Sequence, residues 1–101
     1  MSSDEDRQQD EKRLKALRSE IDALDDKLIK EVVNRLVDRI PLIKEIGEIK
    51  NRNHTNIRDD GRRREVISNW KSGASRGVSS ELMGEIAEAI IEEAERIEKR
   101  A

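Results

Sequence analysis

Arg39 and Lys50 stand eleven positions apart in a segment whose apolar residues recur at helical spacing. Eleven positions is about three turns at 3.6 residues each, so in a helix both side chains project in nearly the same direction. Lys50 also continues the apolar line of Ile43 and Ile46. A guanidinium and an ammonium sharing one core-side face can clasp an anion between helices. Both can equally be surface groups whose aliphatic stems lie along the stripe. Further cations are set into the same pattern: Arg18 follows Leu17, Arg35 and Arg39 flank Leu36, and Arg62, Arg63 and Arg64 open a later segment. No glycine-rich phosphate loop, metal-ligand spacing or nucleophile–base arrangement accompanies them. The chemistry on offer is anion binding.

Several other classes are excluded or disfavoured. There is no cysteine, hence no disulfide, thiolate metal site or thiol catalysis. With His54 as the one histidine, a zinc site would rest mostly on carboxylates, which is uncommon. His54 falls in a polar stretch and reads as solvated. Lys and Arg number 21 against 23 Asp and Glu, a formal charge of −2, which gives no global field for nucleic acid or an anionic membrane. The run Arg62-Arg63-Arg64 has no aromatic nearby, so nucleic-acid binding is not expected of it. No apolar run reaches membrane length, and the opening MSSDEDRQQDEKR lacks the apolar core of a signal peptide. A cytoplasmic location without membrane association is the expectation.

The elements that must position these cations are helical. The chain has 101 residues, enough for one domain, yet only 34% are hydrophobic, 44% are charged, and Trp70 is the sole aromatic. So few large side chains cannot build a generous core alone. Disorder is the alternative for such a composition, but the apolar residues are too regularly spaced for it. Residues 1–10 are polar and expected to be flexible, leaving 11–101 as one helical domain. From Glu11 onward, Leu14, Leu17, Ile21, Leu24, Leu28, Val32, Leu36, Ile40, Ile43 and Ile46 form one stripe. The period resumes beyond Pro41, which predicts a kink and not a break. A helix over 11–51 would be roughly 60 Å long, about twice the width of a small domain. A partner chain is the simplest way to cover its stripe. The polar stretch 51–58 reads as a loop, and Asp59 as the N-cap of a second helix over 60–71 carrying Val66, Ile67 and Trp70 inward. After a second loop over 71–77, Ser79 or Ser80 caps a third helix to about Lys99. Its stripe is Leu82, Ile86, Ile90 and Ile97 with Ala94 alongside, and Glu92, Glu93 and Glu95 form its wet face. The expected fold is all-α, long–short–long.

Four motifs in this order resemble the all-helical (AroQ-class) chorismate mutases. Leu17-Arg18-Ser19-Glu20-Ile21-Asp22-Ala23-Leu24-Asp25 is similar to the family's opening Leu-Arg followed by Ile-Asp-x-Ile/Leu-Asp. Ile46-Gly47-Glu48-Ile49-Lys50 resembles its Ile-Gly-x-x-Lys, and Ile57-Arg58-Asp59-Asp60-Gly61-Arg62 its Val-x-Asp-x-x-Arg. Ile90-Ile91-Glu92-Glu93 resembles the Ile-Ile-Glu of the third helix. The resemblance runs from about residue 14 to 98 with matching helix and loop sizes.

The resemblance implies a stand-alone chorismate mutase, an isomerase of aromatic amino acid biosynthesis that rearranges chorismate to prephenate without a cofactor. It also implies an intertwined homodimer with shared active sites. By position, Arg18 would serve the neighbouring site, Arg39 would bind a substrate carboxylate, and Lys50 would reach a carboxylate and the ether oxygen. Asp59 would lie near the ring hydroxyl, and Arg62 would help close the site. Glu98 falls where many relatives carry a glutamine that donates to the ether oxygen. An ionised carboxylate cannot donate, so Glu98 would have to be protonated to take that part. Between the opening motif and Gly47 the chain is longer than the usual pattern by about four residues, close to one turn. Counting back from Lys50 selects Arg39, and counting forward from Arg18 selects Arg35; Arg39 is favoured because Asp38-Arg39 runs unbroken into Ile46-Gly47. Arg63 stands where a glutamate is common, and Ala94 replaces a small polar residue. Two other readings remain: pyruvate elimination from isochorismate on the same fold, and a non-catalytic helical dimerisation module.

Overall fold

A computed structural model describes residues 3–101, and among them there are three helices and no strand. Helix α1 spans Ser3–Arg52, α2 Asp60–Ser72 and α3 Ser80–Arg100. The chain divides after Val37 into two compact units.

The first unit is the N-terminal part of α1. The helix begins at Ser3, eight positions before the expected start. Residues 3–10 are therefore helical and exposed, while residues 1–2 of the expected flexible lead lie outside the described residues. Asp4, Glu5 and Asp6 fill the first turn, where negative charge is favoured by the helix dipole. Leu14, Leu17, Ile21, Leu24, Leu28 and Val32 recur along this part as the spacing predicts, and every one is exposed, Leu24 by 63%.

The second unit joins the C-terminal part of α1 to α2 and α3. The helix runs through Pro41 without interruption. Proline has no N–H, so this turn lacks the bond that the Val37 carbonyl would otherwise accept. Helix α2 starts where Asp59 caps it, accepting from the Arg62 N–H at 3.0 Å, and α3 starts where Ser79 accepts from the Leu82 N–H at 3.0 Å. Each cap satisfies one of the free N–H groups at a helix start. Val66, Ile67 and Trp70 of α2 are half-buried, as expected of its inner face.

Small residues set the close approaches. A Cβ on Gly84 of α3 would lie 2.7 Å from Lys71 Cε of α2, and one on Gly47 of α1 would lie 2.7 Å from both the Cα and the carbonyl oxygen of Glu98. Among the described residues the buried apolar ones are Ile43 and Ala87, at 9% and 0% exposure. The inner face of α3 keeps Ile90, Ala94 and Ile97 of the expected stripe, but in the first half of the helix Gly84 and Ala87 are buried while Leu82 and Ile86 are exposed. Packing at such short range selects the small side chains, and the larger ones flank the contact.

Candidate functional site

Within the second unit the three helices enclose a pocket of about 170 Å³. Its wall combines an apolar part, Ile43, Ile46, Ile57, Val66, Ile91 and Ala94, with four cations and three carboxylates. The cations are Arg39, Lys50, Arg62 and Arg63, and the carboxylates are Asp59, Glu95 and Glu98.

Helix α1 supplies Arg39, Ile43, Ile46 and Lys50 to this wall, the face that helical phase predicts. Arg39 is half-buried and, among the described residues, makes no hydrogen bond or ion pair. Lys50 is held from two sides. Its Nζ lies 2.8 Å from Glu98 Oε1 and donates to the Ile57 carbonyl oxygen at 2.8 Å. An ammonium has three N–H donors, so one is left over. The bond to Ile57 also ties the loop after α1 back onto that helix.

Glu98 comes from the last turn of α3 and is only 6% exposed. Its carboxylate meets Lys50, and its main-chain oxygen accepts from Asn51 Nδ2 at 3.2 Å. Asp59 and Arg62 come from the start of α2. One Asp59 oxygen is committed to capping that helix, which leaves the second for other partners. Arg62 pairs with Glu65 at 3.5 Å across a largely exposed gap, a contact of little weight in water. At the same helix start, Arg58 hydrogen-bonds Asp60 at 2.8 Å; that bond, helped by the positive charge itself, holds the Asp60 carboxyl below its ordinary range.

Arg63 is engaged across the α2–α3 contact. Its Nη1 lies 3.3 Å from Glu95 Oε1 and its Nη2 3.6 Å from Glu92 Oε1. Glu95 is therefore not on the wet face of α3, as its neighbours Glu92 and Glu93 are, but half-buried in the pocket wall. The arginine it meets lies on another helix, and spacing along α3 alone carries no trace of it.

Of the residues singled out in the sequence, Arg39, Lys50, Asp59, Arg62, Arg63, Ala94 and Glu98 line this one pocket. Arg18 and Arg35 do not; both are exposed on the first unit, and Arg35 lies 3.8 Å from Glu31 one turn away. The pocket thus takes in Arg39 and leaves out Arg35. Three residues escaped the sequence reading: Glu95, Asn51 and the close-approach role of Gly47. For Asn51 a signal existed, because it lies four positions after Gly47 and so on the same helical face.

What the arrangement can do is receive an anion. Two of the three carboxylates are already matched by Lys50 and Arg63, and the third caps α2, so Arg39 and Arg62 have no carboxylate partner in the pocket. Among the described residues no cluster of His, Asp and Glu is placed to hold a metal ion, and no helix is long and apolar enough to cross a membrane. A family model described as chorismate mutase type II matches residues 17–99. No curated protein and no solved structure matches the chain.

Proposed function

The chain belongs to the chorismate mutase type II family, and from that premise we propose that it rearranges chorismate to prephenate in the pocket between α1, α2 and α3. The observation that carries this reading is Arg39: a half-buried guanidinium in the pocket wall with no partner among the described residues. Burying a charge is costly unless something pairs with it, and a substrate carboxylate is the natural complement.

The rearrangement is unimolecular: one ether C–O bond breaks as a C–C bond forms, with no nucleophile and no net proton transfer. Catalysis then consists of holding the dianion in its compact conformer and meeting the charge that grows on the ether oxygen. Arg39 binds one carboxylate bidentately, and the remaining Lys50 N–H serves a carboxylate or the ether oxygen. Arg62 closes over the site from α2, and the second oxygen of Asp59 accepts from the ring hydroxyl. Glu98, which donates only in its protonated form, serves the ether oxygen from its place beside Lys50. Arg63, held by Glu95 and Glu92, acts chiefly as a strut between α2 and α3. The exposed apolar stripe of α1 supports an intertwined homodimer, in which Arg18 reaches the neighbouring subunit's site.

The test is loss of chorismate absorbance on adding purified protein. Arg39→Ala is expected to lower kcat/KM by about 100-fold or more, the scale of removing a charge-paired, partly desolvated contact, and Arg35→Ala to leave it nearly unchanged. The reverse order would shift the site by one helical turn. Turnover of isochorismate instead would assign a pyruvate lyase. No turnover of either by a folded dimer would leave a dimerisation module.

A further inference from the structure

Glu98 is the buried acid of the pocket, yet it sits in the last turn of α3, where helices fray. The last four carbonyls of a helix have no partner inside it. Ala101 donates its N–H back to the Glu98 oxygen at 3.3 Å, and α3 ends at Arg100. This turn is also held by α1. Asn51 Nδ2 donates to the Glu98 carbonyl at 3.2 Å and to the Ala101 carbonyl at 2.9 Å. Both of its amide hydrogens are thereby used. One turn earlier, Gly47 lets the two backbones touch, since any Cβ there would meet Glu98 Cα and O at 2.7 Å and Ala101 Cβ at 2.9 Å.

We propose that Asn51 is a positioning residue for Glu98: with Gly47 beneath it, it caps the end of α3 on α1 and so sets where the Glu98 carboxylate stands against Lys50. Consecutive residues of α1 hold the two ends of Glu98, Lys50 its side chain and Asn51 its main chain. The carboxylate then stays in place without relying on the Lys50 ion pair, which matters because a substrate anion competes for that same ammonium. The catalytic part of this inference rests on the chorismate reading above; the structural part does not.

The experiment compares Asn51→Ala and Asn51→Asp, each alone and combined with Glu98→Ala. Asn51→Asp keeps the shape but, ionised, loses both donors. Asn51→Ala and Asn51→Asp are expected to lower kcat about 10-fold with KM changed by less than about 2-fold, since small misplacements of a catalytic group act on the chemical step. In the Glu98→Ala background Asn51→Ala should cost less than about 2-fold, because two residues acting through one group are not additive. An equal loss in both backgrounds, or no loss in either, overturns the proposal. Amide hydrogen exchange at residues 97–100 gives a reading that needs no turnover: it should accelerate about 10-fold in Asn51→Ala, as a frayed local unit does, with α2 unaffected. Unchanged exchange overturns the proposal even if the protein acts on no chorismate, whereas faster exchange in a protein without turnover removes only the chorismate reading.

Discussion

At the scale of single residues, the pocket is defined by which charges are matched and which are not. Lys50 and Glu98 satisfy each other at 2.8 Å, Arg63 is met by Glu95, and Arg39 is left unmatched among the described residues. Glu98 is where this bears on catalysis. Its carboxylate faces Lys50 from α1, and Arg39, Asp59, Arg62, Arg63 and Glu95 line the same cavity. An ionised carboxylate accepts hydrogen bonds and cannot donate, whereas an amide of the same shape always donates. Glu98→Gln is therefore expected to keep or raise kcat for chorismate, and Glu98→Ala to lower it about 100-fold, the scale of losing one donor to a developing charge. Steady-state rates of the two variants check it; an equal loss in both removes Glu98 as the donor. The cations of this site were legible in the sequence because Arg39 and Lys50 share a face through helical phase, a property local to one element. Glu95 was not legible, because its partner comes from another helix.

At the scale of elements, caps and close contacts decide where things stand. Helices α2 and α3 begin at Asp60 and Ser80, the second helix where the sequence predicts it and the third at one of its two candidates, because Asp59 and Ser79 are side chains whose oxygens satisfy free N–H groups. The start of α1 was less legible: residues 3–10 carry no apolar period to read, although Asp4, Glu5 and Asp6 are what a first turn favours. The inner face of α3 departs from the expected stripe only in its first half, for a related reason: periodicity follows large apolar residues such as Leu82 and Ile86, and the contact there is made by Gly84 and Ala87. Gly47 shows the same rule at its tightest. Gly47→Ala is expected to destabilise the protein by about 1–3 kcal/mol, the usual cost of overpacking, because the obstruction is backbone and cannot swing aside. Chemical denaturation of the two proteins measures it. Gly84→Ala is the control, expected to cost less, because the Lys71 side chain is flexible and can move away.

At the scale of the whole molecule, the division of labour along α1 gives a test that single variants cannot. If Arg18 serves the neighbouring subunit's site, Arg18→Ala and Arg39→Ala are each inactive but damage different partners. Mixing the two after unfolding and refolding together should restore about a quarter of wild-type activity, because half of randomly paired dimers are mixed and each holds one intact site. No recovery, from chains shown to have exchanged, would place both arginines in one subunit's site. The exposed stripe of the first unit also has a thermodynamic consequence. Leu14, Ile21, Leu24, Leu28 and Val32 stand in water on a single chain in which, among the described residues, the buried apolar ones are Ile43 and Ala87. Within the proposed dimer, folding and pairing become one event, second order in protein, and no free energy of unfolding belongs to the chain by itself. For such a molecule dilution is a denaturant.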